Sequence, residues 1–284
     1  MKLTRRRFLL AATGGAAALS GVAYARKIEP HWLDVSSTAL PLPAGTWSGA
    51  PLRVLHLSDL HLSRTVPLAF INEAITRGLA KKPDLICVTG DFITAGHAFD
   101  PVAYTPVLAR LAAAAPTFAT LGNHDGGPWT AGFGGVSSRQ VVGEMLTRAG
   151  HTWLNNQTAS ITVRGRRVHL VGMGDWWCGD CRPALAFRNF SPPFGEPVIA
   201  LSHNPDSKDF LKKYPWHVML CGHTHGGQCG LPFIGTALAP VRDKDFIAGS
   251  YRYADRWLYI TRGVGNLHGI RLFCRPEVSL LSLA

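Results

Sequence analysis

Seven residues with metal-binding side chains fall into five short blocks of this sequence. Asp59 and His61 stand two apart in Ser-Asp-Leu-His, and His223 and His225 stand two apart in Gly-His-Thr-His. Asp91 lies in Thr-Gly-Asp, Asn123 in Gly-Asn-His-Asp and His203 in Leu-Ser-His-Asn. Imidazole nitrogen with carboxylate or carboxamide oxygen is a donor set suited to Mn, Fe, Zn or Ni rather than Mg or Ca. Seven donors are too many for one structural zinc, which takes four, and enough for two ions. In extended backbone, a spacing of two puts both side chains of a pair on one side, with Leu60 and Thr224 turned away. We therefore expect each pair to present both of its ligands from an extended strand end.

These donors serve one site only if the elements carrying them converge. Leu52–Leu57 is mostly apolar and reads as a buried strand ending at Asp59. Pro67, a favoured first-turn residue, opens a helix over residues 67–81. A second strand over 85–88 runs into Asp91, a second helix covers 102–115, and a third strand over 117–121 runs into Asn123. A third helix spans 138–149. This βαβαβ alternation predicts an α/β fold with a largely parallel central sheet. Open α/β sheets place ligands beyond the carboxyl ends of their strands, which is where Asp59, Asp91 and Asn123 fall. Shorter strands follow at 160–163, 167–171, Val198–Leu201 and 218–220, the last two ending at His203 and at His223/His225. Hairpin-like strands come after Cys221, with strands at 257–261 and 278–283. No repeat and no Gly/Ser-rich linker divides the body, so residues 51–284 read as one domain behind a lead-in segment, 26–50.

The first 25 residues do not belong to that body. Thr4-Arg5-Arg6-Arg7-Phe8-Leu9 resembles a twin-arginine export signal, followed by a weakly apolar stretch over 10–22 and by Ala23-Tyr24-Ala25, which suits a signal peptidase. The alternative is a membrane anchor that is never cut. Either way the body is expected in the periplasm or otherwise outside the cytoplasm, delivered folded by the twin-arginine machinery, and held at the inner membrane if the segment is an anchor. The formal charge is +11; this segment holds Lys2, Arg5, Arg6 and Arg7 and no acid, so the remainder carries +7. That excess is scattered and forms no arm for nucleic acid. It fits an anionic substrate or peripheral contact with anionic lipid. At 46% hydrophobic and 17% charged, the composition excludes disorder, collagen and coiled coil. The six cysteines, with Cys178-x-x-Cys181 among them, imply no disulfide framework in a body of this size.

The order Asp-x-His, Gly-Asp, Gly-Asn-His-Asp, His, Gly-His-x-His resembles the calcineurin-like metallophosphoesterases, from about Arg53 to His225. The runs Gly222–Gln228, Thr261–Gly265 and Arg275–Val278 extend the likeness to a branch of bacterial phosphodiesterases. The resemblance implies a four-layer α/β/β/α sandwich. It implies one ion on Asp59, His61, Asp91 and His225 and another on Asp91, Asn123, His203 and His223, with Asp91 bridging, Mn or Zn being the leading choice. It also implies cleavage of a phosphodiester by a hydroxide shared between the ions, with His124 at the scissile phosphate or leaving group. Where purple acid phosphatases carry a metal-binding Tyr after Gly-Asp, this chain has Thr94. Asp125 either orients His124 or caps the following turn. Arg262 and Arg271 are candidate phosphate clamps, and Trp129 is a candidate for lining the substrate groove. The substrate is expected to be a small phosphodiester or a lipid-linked phosphate. Two alternatives remain at this stage: a pyrophosphatase acting on UDP-2,3-diacylglucosamine, since such relatives keep the same blocks, and a metal-stabilised binding domain that turns nothing over.

Overall fold

The computed structural model describes residues 19–231 and 237–284 together with Thr13 and Gly15. The twin-arginine pattern at 4–9 lies outside the described residues. Two six-stranded sheets pack face to face. Across its width the first sheet runs β1 (Asp34–Leu40), β12 (Glu277–Leu283), β2 (Leu52–Leu57), β3 (Leu85–Thr89), β4 (Thr117–Thr120) and β5 (Thr152–Trp153). Strands β2 to β5 are parallel, β12 is antiparallel to β2, and β1 is parallel to β12. The second sheet runs β10 (Gly249–Tyr253), β11 (Arg256–Ile260), β9 (Val218–Cys221), β8 (Val198–Leu201), β7 (Arg166–Gly172) and β6 (Gln157–Val163). Its four inner strands are parallel, with a hairpin at each edge. Both hairpins turn on two left-handed residues, Arg164-Gly165 (φ 52° and 76°) and Ala254-Asp255 (φ 47° and 64°), the turn class whose twist matches the strands.

Three helices cover the outer face of the first sheet. In α1 (Leu68–Leu79) the buried residues Phe70, Ile71, Ala74, Ile75 and Gly78 recur at helical spacing and pack on Leu55 and Leu57. Pro67 precedes this helix in extended conformation (φ −71°, ψ 155°) rather than opening its first turn. Asp100 caps α2 (Pro101–Ala114), accepting from the N–H groups of Val102 at 2.8 Å and Ala103 at 3.3 Å. In α3 (Gln140–Arg148), Val142, Met145 and Leu146 complete that layer. A second core lies between the sheets, with Val54, Leu85, Cys87 and Phe118 facing Val168, Leu170, Ile199 and Leu220. The fourth layer is thin: two four-residue helical turns, Pro183–Ala186 and Lys208–Leu211, with Phe187 and Trp216, cover Val171, Ala200 and Met219. The architecture is therefore the expected α/β/β/α sandwich.

The lead-in segment is not outside the fold. Residues 34–40 form β1, paired in register with β12 from Asp34 opposite Glu277 to Leu40 opposite Leu283. Its sequence, Asp-Val-Ser-Ser-Thr-Ala-Leu, is too polar to read as a buried strand, and an edge strand does not need to be one. After Cys221 there is a single hairpin among the described residues, β10–β11; β12 leaves it to join the other sheet.

Candidate metal centre

All five ligand blocks leave their strands at the carboxyl end, β2, β3 and β4 from one sheet and β8 and β9 from the other. Asp59, His61, Asp91, His223 and His225 have φ between 50° and 69°, so the pairs are not extended as their spacing suggested. Each pair turns through the left-handed region, which L-residues adopt rarely and which concentrates at functional sites. Backbone bonds hold these turns: the N–H of Asp59 reaches the Gly90 carbonyl at 2.9 Å, and that of His61 reaches the Asp91 carbonyl at 2.9 Å. Glycine permits the close approach. A Cβ on Gly122 would collide with the Asp91 carboxylate, and one on Gly222 with Ser58 and Asp59.

Two triads result, Asp59/His61/His225 and Asp91/His203/His223, every member buried and the ligand atoms of each within 4.8 Å of one another. The Asp91 carboxylate joins them: its Oδ2 is 3.4 Å from His61 Nε2 and 3.1 Å from His203 Nε2. Its Oδ1 accepts from the His124 N–H at 2.9 Å. The Asp59 carboxylate lies 3.4 Å from His225 Nε2 and accepts from the His223 N–H. Asn123 is 3% exposed, and its Oδ1 is a buried acceptor with no hydrogen-bond partner among the described residues.

The outer ring nitrogens explain why the inner ones are available. His203 donates from Nδ1 to the Thr89 carbonyl at 2.7 Å, and His223 donates from Nε2 to the Pro240 carbonyl at 3.0 Å. His61 Nδ1 bonds the Thr94 hydroxyl at 3.1 Å. Such outer contacts set the tautomer of metal-binding imidazoles. His203 Nε2 and His223 Nδ1 then face each other at 3.1 Å, as do the Nε2 atoms of His61 and His225. With their outer nitrogens donating to carbonyls, His203 and His223 turn two lone pairs toward each other, which a cation between them would satisfy. Burial lowers His61 and His223 to about 3, so both are neutral, as a ligand must be. Burial alone would lower His203 too, but the Asp91 charge outweighs it and raises its pKa to about 10. With the orphaned Asn123 oxygen, the donor set fits two divalent ions. Thr94, noted in the sequence only as the residue replacing a Tyr, is thus a positioning residue for His61. The Pro240 and Thr89 carbonyls carry no sequence signal.

His124 lies beside this centre. Its Nδ1 accepts the Ala95 N–H at 3.0 Å, which leaves Nε2 as the only ring site for a proton. Burial lowers its pKa. The ring meets Trp129 edge-on at 5.0 Å between centroids. Trp177 meets His223 in the same way at 5.0 Å. Asp125 neither orients His124 nor caps the next turn: its carboxylate accepts from the N–H groups of Phe92, Ile93 and Gly122 at 2.7, 3.2 and 2.9 Å, bracing the Asp91 loop.

Both candidate phosphate clamps are corrected. Arg271 is fully buried and donates to the carbonyls of Arg262, Gly263, Gly265 and Cys274. Arg262 pairs with Asp34 at 2.7 Å and Glu277 at 3.2 Å. They hold the 262–265 loop against the Asp59 turn, where Gly265 N–H meets the Asp59 carbonyl at 2.6 Å. Asp175, buried three residues beyond β7, has no partner for Oδ2 among the described residues and carries no sequence signal. Burial and Asp175 push the free thiols of Cys178 and Cys181 up to about 12, so both stay protonated.

Residues 52–227 match the model of the calcineurin-like phosphoesterases. This chain belongs to that family. Within it, the chain is 43% identical to the phosphodiesterase YaeI of Escherichia coli strain K12 over 99% of each chain. It is 30% identical to YkuE of Bacillus subtilis strain 168, an uncharacterised metallophosphoesterase, over 99% of this chain and 98% of that one. The UDP-2,3-diacylglucosamine pyrophosphatase LpxG of Chlamydia muridarum is 28% identical over 91% of each. In the calcineurin-like frame, the two triads are metal-binding groups typical of a dinuclear site.

Proposed function

We propose that this chain is a metal-dependent phosphodiesterase whose working centre is the pair of triads joined by Asp91. The observation that carries this reading is that one Asp91 oxygen lies 3.1 Å from His203 in its own triad and 3.4 Å from His61 in the other, where it could serve two cations at once. Two divalent ions held there would polarise phosphoryl oxygens and acidify a water between them. The chain's own residues do the rest. Asp59, His61, Asp91 and His225 would hold one ion, and Asp91, Asn123, His203 and His223 the other. His124, carrying its proton on Nε2, would donate to the phosphoryl or leaving oxygen, its ring fixed by the Ala95 N–H and Trp129. Trp129 and Trp177 would give the phosphate position aromatic walls. Mn or Zn is the choice among ions on donor chemistry. The likeness to the phosphodiesterase YaeI supports the reaction class.

The twin-arginine pattern supports delivery outside the cytoplasm by that export route. The surroundings of Ala25 support retention of the preceding segment as an anchor: Ala25 is 6% exposed, and its carbonyl accepts the Arg271 N–H at 2.9 Å. A small or lipid-linked phosphodiester is the substrate this location favours. The likeness to LpxG over nine-tenths of the chain supports a second reading, pyrophosphate cleavage in UDP-2,3-diacylglucosamine.

The test strips the protein of metal, restores Mn, and follows bis(p-nitrophenyl) phosphate beside the matching monoester. The reading expects metal-dependent diester cleavage that falls by about 10²-fold or more in Asn123→Ala. Turnover of UDP-2,3-diacylglucosamine without diester cleavage would select the second reading. No turnover of either, with two ions bound, would select the binding domain.

A further inference from the structure

Residues Tyr24–His31 are stitched to the body rather than trailing from it. Besides the Ala25 carbonyl, the fully buried Glu29 uses its carboxylate to accept the N–H groups of Phe273, at 2.7 Å, and Cys274. Pro30 is buried beside it. Held in this way, Arg26, Lys27 and His31 form one wall of an open cavity of about 570 Å³. Arg64 and Pro67, from the loop that follows His61, and His268 form the others. Arg26, Lys27, Arg64 and two imidazoles line this basin, and among the described residues no carboxylate does. Among the described residues, Arg26, Lys27, Arg64 and His268 make no ion pair or side-chain hydrogen bond, in contrast to Arg262 and Arg271.

The basin shares wall residues with two further hollows, one of which reaches the ligand His225. Arg64 also lines a hollow with Gly96, His97 and Ala98, next to the Ala95 N–H that holds His124. His268 also lines a mostly apolar hollow of about 340 Å³ with His225, Leu238, Leu267 and Ile270. Cations that repel one another across a shared concavity, with donors unspent, are matched by a phosphate group, whose oxygens accept several charge-assisted bonds at once.

We propose that this basin is a second phosphate-binding site, which holds a phosphate other than the one at the metal pair. Its ligand is the phosphate of an anionic lipid headgroup or a further phosphate of a soluble substrate, and its role as a substrate subsite rests on the phosphodiesterase reading above.

The test uses the full chain loaded with Mn, in two arms. Equilibrium dialysis against labelled inorganic phosphate counts bound phosphate. Flotation with phosphatidylcholine vesicles, with and without phosphatidylglycerol, reads lipid attachment. The Lys27→Glu/Arg64→Glu variant is compared with Lys81→Glu/Lys82→Glu, which makes the same charge change outside the basin. Weakening by about tenfold or more in the basin variant alone is expected. Seen in the dialysis arm, it identifies soluble phosphate as the ligand; seen in the flotation arm, the lipid headgroup. Equal behaviour of both variants and the wild type in both arms overturns the proposal. Turnover of the chromogenic diester by the same preparations reports on the phosphodiesterase reading separately, so either can fall without the other.

Discussion

Replacing His124 separates two ways in which an imidazole can help phosphate cleavage. The Ala95 N–H points its proton at Nδ1 from 3.0 Å, so that nitrogen is an acceptor and the ring works as a neutral Nε2–H donor. Removing one donor aimed at developing charge costs roughly 10²–10³ in kcat, about 2.7–4 kcal/mol. His124→Ala also leaves the Ala95 N–H unpaired, about 1–3 kcal/mol of stability, and strips Trp129 of its edge-on partner, about 0.5–1.5 kcal/mol. A chain of this size should then melt roughly 3–8 °C lower. His124→Gln keeps both halves of the geometry, since its carboxamide oxygen accepts and its amino group donates. We expect Gln to stay within about tenfold of the wild-type kcat and to recover most of the melting temperature. The assay is kcat and KM on the chromogenic diester at saturating Mn, beside a thermal melt. If Gln restores stability while kcat stays as low as in Ala, a neutral donor is not what the reaction uses, and the reasoning fails.

Other consequences follow from the side chains around the centre. Arg271→Met should lower the melting temperature by about 5–10 °C, because four carbonyls lose a buried donor. A phosphate clamp would instead raise KM with stability intact, and melts with kinetics at saturating metal separate the two. Glu277 accepts from Thr261, Arg262 and Tyr259. Its burial pushes its carboxyl up, but the Arg262 charge and the hydrogen bonds outweigh this and hold it below its ordinary 4.5. A depressed folded pKa gives stability that is complete above about pH 4.5 and lost as pH falls through the lower folded value. Melts across the acid range should therefore fall more steeply for wild type than for Glu277→Gln; parallel curves would contradict the assignment. Intact mass of protein recovered from membranes should include residues 1–25, and a species beginning at Arg26 would show that the buried Ala25 bond is open to a peptidase.

What could be read from the sequence was whatever periodicity and donor chemistry encode locally. The runs at Leu52–Leu57 and Val198–Leu201 are strands because both faces are buried between layers, and their ends mark the sites of Asp59 and His203. The donor blocks were legible because metal-binding residue types recur just beyond buried strands, and the fold brings six of them into two triads. Backbone shape was not: Asp59 and His61 are left-handed because Gly90 and Asp91 carbonyls capture their N–H groups from a loop 30 residues away. Arg262 and Arg271 misled for a related reason. An arginine near a metal loop reads as a phosphate ligand until Glu277, Asp34 and four carbonyls, set in place by the fold, are seen to claim it. The 34–40 edge strand escaped notice because β12, which gives it a partner, comes over 200 residues later.

Everything proposed for this site depends on one carboxylate, Asp91, being shared by two ions. Metal content of the purified chain, measured by mass spectrometry after loading with Mn and removal of free ion, tests it most directly. Wild type should hold two ions, Asn123→Ala and His225→Ala one each, and Asp91→Ala none at the same free Mn concentration. An Asp91→Ala protein that still folds and holds two ions, or a wild type that holds only one, would contradict the account.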